Sequence, residues 1–146
     1  MKPFALDTVL DYRKRLEDMA QHRFIEAQKT RDIIQVKLDE ATEALTQFIA
    51  ESAELQQQGI EITELIRHEE RIGAQKHNLQ AIKNNLAEKI QLVEKEQQKL
   101  LHRCKERQIL ERLKETQNKA RQAYLNKKEA AMLDEIATTR HETDAF

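Results

Sequence analysis

Apolar residues recur at steps of three and four along most of this sequence, which is the spacing of the a and d positions of a coiled coil. The first such seam runs through Leu6, Leu10, Ala20, Phe24, Ala27, Ile34, Leu38, Ala41, Leu45, Phe48 and Leu55. The second runs through Ile72, Leu79, Ile82, Leu86, Val93, Leu100, Leu110 and Leu113. No run alternates apolar and polar residues over the length of a strand. We therefore predict an all-α fold.

Composition separates a folded coiled coil from a disordered chain. Charged residues make up 35% of the 146 residues, and there are two glycines, one proline and no tryptophan. A mean hydropathy of −0.81 leaves too few apolar residues for a globular core. Disordered chains are commonly rich in proline, glycine and serine, whereas this chain favours strong helix formers. The chain is therefore predicted to form one coiled-coil domain over residues 1–146.

The glycines predict where the chain turns, because glycine commonly lies just beyond the end of a helix. Gly59 and Gly73 bracket a short amphipathic segment. We predict a long antiparallel two-helix hairpin, with helix 1 over about 3–57, a tip over 58–72 and a longer helix 2 over about 73–141. A single unbroken helix is the alternative, and it would need a partner along its whole length.

A turn centred near residue 65 places Val9 beside about Arg121. Helix 2 then outlasts helix 1 by roughly 15–20 residues, or about 25 Å at 1.5 Å per residue. The apolar residues of this C-terminal segment have no partner within the hairpin. A frayed tail or a contact with a second copy would explain them, but we favour a helix that docks on another protein.

A basic stretch precedes this segment. Between Lys99 and Lys128 there are ten Lys or Arg residues and three Glu residues. Nucleic acid is not the expected partner, because Tyr124 is the only aromatic residue nearby that could stack on a base. A solvated helix face or an acidic protein cavity remains as the explanation.

The residues that carry catalysis are nearly absent. HEERI, which begins at His68, lacks the second histidine of a zinc-binding HExxH motif. Cys104 has no histidine placed as an obvious base, and no glycine-rich loop is present to hold phosphate. No run approaches the ~18 apolar residues of a membrane span. We therefore predict a cytoplasmic protein that is not an enzyme, binds no metal or cofactor and does not insert into a membrane.

Two stretches, one near each end of the chain, form a recognisable pair. The N-terminal stretch is PFALDTVLDYRKRLEDMA, and the C-terminal stretch is LERLKETQNKARQAYLNKKEAAMLDEIATTR. The latter contains a lysine-rich stretch followed by an LDE-x-A element over Leu133–Ala137. Together these stretches resemble the FliJ family of flagellar export proteins.

This resemblance implies a cytoplasmic component of the flagellar type III export apparatus, at the inner membrane of the flagellar base. Such proteins are antiparallel coiled coils similar to the γ shaft of rotary ATP synthases. They associate with the hexameric export ATPase (FliI-like), the export-gate protein (FlhA-like) and export chaperones, and we expect a monomer in isolation.

The resemblance also assigns two contact regions. The expected ATPase-docking residues are Leu125, Lys127, Lys128, Met132, Leu133, Asp134, Glu135 and Ile136. The expected gate-binding residues at the tip are Ala41, Leu45, Phe48, Ile72 and Leu79.

Three alternatives remain open at this point. A prefoldin-like holding chaperone would need a strand between Gly59 and Gly73. A structural coiled-coil spacer would have no link to an ATPase and would self-associate. A stalk from a virulence type III secretion system would have the same sequence pattern as a flagellar one.

Overall fold

Two helices account for nearly all of the chain that the computed structural model describes, namely the backbone of residues 6–144 and the side chains of residues 6–142. Helix α1 spans Asp7–Gln58 and has 52 residues. Helix α2 spans Ile62–Asp144 and has 83 residues. No strand occurs within residues 6–144. The predicted all-α hairpin with a longer second helix is confirmed.

The turn between the helices is shorter than the predicted tip over 58–72. Gly59 has a φ of 95°, in the left-handed region that favours glycine, and its N–H donates to the Gln56 carbonyl at 3.4 Å. Helix α2 already begins at Ile62. Gly73 lies inside α2 with open space around it, so it ends no helix. The strand that a prefoldin-like protein would need is replaced here by helix from Ile62 onward.

The chain divides into two compact units, which are described separately. The first unit, Asp18–Leu101, contains most of the buried apolar residues. These are Ala20, Ala27, Ile34 and Leu45 on α1, with Leu86 and Val93 on α2. Several of them follow one another at seven-residue intervals, which keeps one face of each helix toward the other. Leu55, predicted to belong to this seam, is 42% exposed.

The second unit joins the segment that ends at Glu17 to the segment that begins at His102. Leu10 is its one buried apolar residue among those that the structure describes. Leu113, predicted to belong to the seam, is exposed, and its neighbour Lys114 is half-buried. Charged side chains therefore make much of the described contact between the helices of this unit.

Three ion pairs cross between α1 and α2 in this second unit. The Arg13 guanidinium donates to the Glu106 carboxylate, and Arg107 donates to Glu17. Lys114 Nζ lies 2.9 Å from an oxygen of Asp7, the first residue of α1. Arg13, Glu17, Arg107 and Lys114 occupy seam positions that leucine would fill in a zipper-like coiled coil, whereas Asp7 and Glu106 flank the seam.

The cross-helix pairs fix the register of each unit. In these ion pairs, and in the contact between Ser52 and His68 of the first unit, the two residue numbers add up to about 120. The predicted register, in which a turn near residue 65 places Val9 beside about Arg121, is wrong, because the turn lies at Gly59.

The corrected register lengthens the part of α2 that extends past the described part of α1. Because Lys114 lies beside the first residue of α1, the rest of α2 extends past the described part of α1. We call residues 115–144 the overhang. At 1.5 Å per residue it is about 45 Å long, rather than the 25 Å expected from the sequence.

We call the three ion pairs between α1 and α2 in the second unit, together with the charged residues that contact them, the charged layer. Glu106 is at its centre. Burial opposes ionisation of this carboxyl, but hydrogen bonds from Arg13 and Arg103 outweigh it and hold the Glu106 pKa below its ordinary value. His102 Nε2 lies 2.8 Å from the other carboxylate oxygen. On Arg107, the hydrogen bonds to Glu17 and Glu111 raise the pKa of the guanidinium, so it stays charged.

We expect Glu106→Gln to destabilise the second unit at neutral pH. The pKa of Glu106 is lower in the folded state than in the unfolded state. The stability that its carboxylate contributes is therefore fully present above the unfolded-state pKa and is lost as the pH falls through the folded-state pKa. The difference between wild type and variant should therefore shrink under acid conditions, below the ordinary carboxyl range. The measurement is amide hydrogen exchange of residues 7–17, compared between wild type and Glu106→Gln at several pH values.

Glu115→Gln is the matched control, because among the described residues the ion pair of Glu115 is with the exposed Lys119 four residues on, and its loss should matter little. Equal effects of the two substitutions at neutral pH would show that the charged layer does not hold this unit together.

Candidate docking surfaces

The overhang is a part of α2 beside which the structure describes no residue of α1. From Glu115 to Glu142 every side chain is exposed except that of Arg121, which is half-buried. A helix this long is normally stabilised by burying one face, since an isolated helix in water is only marginally stable. The overhang is therefore a candidate surface for binding another protein.

Four apolar side chains of the overhang lie along one face. Leu125 is 44% exposed, Met132 56%, Leu133 60% and Ile136 50%. Leu125, Met132 and Ile136 are separated by seven and four residues, which places them in one row of the helix surface, with Leu133 at its edge. We call these four residues the apolar stripe.

The charged residues predicted for this region fall on two different faces. At about 100° per residue, Lys128 and Glu135 flank the apolar stripe, whereas Lys127 and Asp134 point to the opposite side of the helix. All four are exposed. The eight predicted ATPase-docking residues are thus brought together on one segment, but only six of them border a common face.

The basic stretch before the stripe is partly neutralised within the protein. Lys99 pairs with Glu96, and Lys119 pairs with Glu115. Arg103, Arg107 and Lys114 pair with acidic residues of the second unit, two of which, Asp7 and Glu17, come from α1. The positive charge available to an acidic partner is therefore smaller than the sequence alone indicates.

A compact cluster lies beside the turn in the first unit. The rings of Phe48 and His68 are stacked, with centroids 5.3 Å apart, and the Arg71 guanidinium lies 4.8 Å from the centre of the Phe48 ring. A hydrogen bond of 2.7 Å joins His68 Nδ1 to the Oγ of Ser52, which is 2% exposed. This cluster ties the start of α2 to the end of α1.

The five residues predicted for gate binding are members of the seam. Leu45 is buried, and Ala41, Phe48, Ile72 and Leu79 are half-buried. These residues pack the two helices together and leave only their edges to a partner.

Other apolar side chains near the turn are more accessible. Ile62 is 74% exposed, Ile66 50% and Leu55 42%. Ile62 and Ile66 are four residues apart and share a face of α2. In the sequence they belong to the amphipathic segment after Gly59, which was predicted to form the tip. The structure places them at the start of α2, because the turn is shorter than predicted.

The described residues offer little for catalysis. No group of three or more His, Cys, Asp or Glu side chains within them could hold a metal ion. Cys104 is a half-buried free thiol with the Arg107 guanidinium 3.5 Å from its sulfur. Neither helix, over its described residues, contains an apolar stretch long enough to cross a membrane.

Comparison with known proteins identifies one family. The family described as "Flagellar FliJ protein" matches residues 1–144, nearly the whole chain. No curated protein and no solved structure matches this chain. With a two-helix hairpin, a longer second helix and a family match over almost its full length, this chain belongs to the flagellar FliJ family and is a component of the flagellar export apparatus.

Proposed function

We propose that this protein is a non-enzymatic coiled-coil stalk that binds the hexameric export ATPase (FliI-like) through its overhang and links it to the export gate (FlhA-like) and export chaperones. Membership of the FliJ family supports the export role. The observation that carries the ATPase contact is the apolar stripe, exposed on a part of α2 that has no described α1 residue beside it.

Docking would remove the stripe from water. A fully buried leucine, isoleucine or methionine side chain stabilises a complex by roughly 1.5–3 kcal/mol. Four such side chains supply a large share of the free energy needed to hold a stalk, and a bound surface also stabilises the helix itself. The ATPase is therefore expected to offer an apolar wall to this face.

Charge adds orientation to this contact. Lys127 and Lys128 steer the overhang toward an acidic wall in a salt-dependent way. Glu135 borders the apolar stripe and is placed to pair with an arginine of the ATPase, whereas Asp134 on the opposite face stays in water.

The turn end is the proposed site for the export gate. Ile62, Ile66 and Leu55 are exposed there, above the half-buried Phe48 and Ile72. Exposed acidic residues surround them, namely Glu51, Glu54, Glu61, Glu64, Glu69 and Glu70. A gate surface with an apolar centre and a basic rim would complement this end. These contacts would hold the protein at the cytoplasmic face of the inner membrane.

We expect Met132→Ser with Ile136→Ser to weaken ATPase binding and stimulation. Two buried side chains are worth roughly 3–6 kcal/mol, so the Kd should rise at least about a hundredfold. Binding is measured by titration and stimulation by phosphate release. Truncation after Lys128 should likewise abolish stimulation and leave the Tm of the hairpin nearly unchanged, because every described side chain that it removes is exposed.

Leu101→Ser with Ile109→Ser is the matched control, since these α2 side chains are 53% and 65% exposed and lie outside the overhang. Full stimulation by the stripe variant would rule out the stripe as the docking element. Unfolding of the truncated chain would mean that the overhang packs within the protein.

We expect Ile62→Ser with Ile66→Ser to weaken binding to the export gate by about tenfold or more. Both side chains are already partly covered in the free protein, so each buries only part of its area on binding. Helicity by circular dichroism should stay the same. Ile33→Ser with Val36→Ser changes two comparably exposed α1 residues, 59% and 54%, and should leave gate binding intact. A gate affinity unaffected by the change at Ile62 and Ile66 would refute this placement of the contact.

A further inference from the structure

The apolar stripe is complementary to itself. The row that contains Leu125, Met132 and Ile136 continues through Glu129 at the same alternating steps of four and three. In coiled-coil terms Leu125 and Met132 occupy d positions, and Glu129 and Ile136 occupy a positions. This short heptad pattern lies entirely on the overhang and is exposed throughout, so a second helix with the same pattern fits it.

The charges beside the row oppose one another in an antiparallel pair. The g positions that flank it carry Lys128 and then, one heptad on, Glu135. Antiparallel coiled coils bring the g positions of the two chains together, so Lys128 of each copy would meet Glu135 of the other. Over the described chain, neither side chain is engaged in an ion pair, so both are available.

The same charges select one register. When Leu125 of one copy lies opposite Ile136 of the other, both Lys128–Glu135 contacts form and Glu129 faces Met132. Shifting the pair by one heptad brings Lys128 against Lys128, or Glu135 against Glu135. A parallel pair in register would put Glu129 against Glu129 in the core. Like charges destabilise each of these alternatives.

From this self-complementarity we infer that two copies of this chain associate through their overhangs, in an antiparallel pair centred between Ala130 and Ala131. Four apolar side chains from each copy are covered, which gives a weak and reversible dimer. The monomer expected from the sequence is then the form in dilute solution.

The dimer covers the stripe that the export ATPase is proposed to bind. A stripe that is covered by a second copy cannot bind the ATPase at the same time. Self-association would therefore cover the apolar surface of chains that are not bound to the ATPase, and the dimer would dissociate when the ATPase binds. This consequence rests on the proposed function, whereas the pairing itself does not.

Charge reversal tests the pairing by sedimentation equilibrium of the full chain over a range of concentrations. Lys128→Glu and Glu135→Lys should each raise the dimer Kd at least about tenfold, because two attractive contacts become repulsive. A mixture of the two variants should restore association as a heterodimer, since all four charges are then complementary. Helicity is followed by circular dichroism.

The controls are Lys127→Glu and Asp134→Lys, which change net charge equally on the opposite face and should leave the dimer Kd within about twofold. A wild-type chain that remains monomeric up to millimolar concentration would overturn the inference, and so would homodimers that respond equally to changes at Lys127 and Lys128. Either result leaves the proposed ATPase contact standing, because that contact is measured separately with the Met132 and Ile136 variant.

Discussion

A long helix in water is stable only when one of its faces is covered, and this requirement governs the whole molecule. Helix α1 satisfies it along its described length by packing against α2 within each compact unit. Helix α2 has 83 residues against the 52 of α1, so the described part of α1 is too short to cover one face of α2 along its whole length. The excess is a segment whose apolar side chains are exposed in the free protein. The proposed binding by the overhang therefore follows from unequal helix lengths.

The charged layer of the second unit serves the hairpin in a different way from the apolar seam. Apolar side chains stabilise many alignments about equally well, since Leu, Ile and Ala can pack in more than one register. Arg13 and Glu17 have their partners, Glu106 and Arg107, only when the helices are aligned as observed. Exposed or half-exposed ion pairs add little stability, but misalignment would leave like charges in contact. The charged layer specifies the register more than it contributes to stability.

Much of the fold was predictable from local patterns. Steps of three and four and a near absence of helix breakers predict two helices, and Gly59 predicts the end of the first. Gly73 misled the prediction, because an isolated glycine costs a helix only roughly 1 kcal/mol and the surrounding residues favour helix strongly. The error moved the predicted turn and with it the register.

The sequence predicted the candidate site on the overhang better than the one at the turn, and the register is again the reason. The stripe from Leu125 to Ile136 could be found because exposure there depends only on helix α2 outlasting α1. The accessible residues at the turn depend on the register, so Phe48 and Ile72 were expected where Ile62 and Ile66 are in fact the more exposed. Polar seam residues such as Ser52 also give no signal in the sequence, since Ser52 makes its hydrogen bond with His68 on the other helix.

The tight turn at Gly59 has a consequence for how the chain folds. The Ser52–His68 contact joins residues only 16 apart in sequence, whereas the Arg13–Glu106 pair joins residues 93 apart. The entropy lost in closing a loop grows with its length, so contacts beside the turn form with the smallest loss. Each heptad that docks then shortens the loop that the next must close. The hairpin should zip from Gly59 outward, with amide protection during refolding appearing first beside the turn and last at the charged layer.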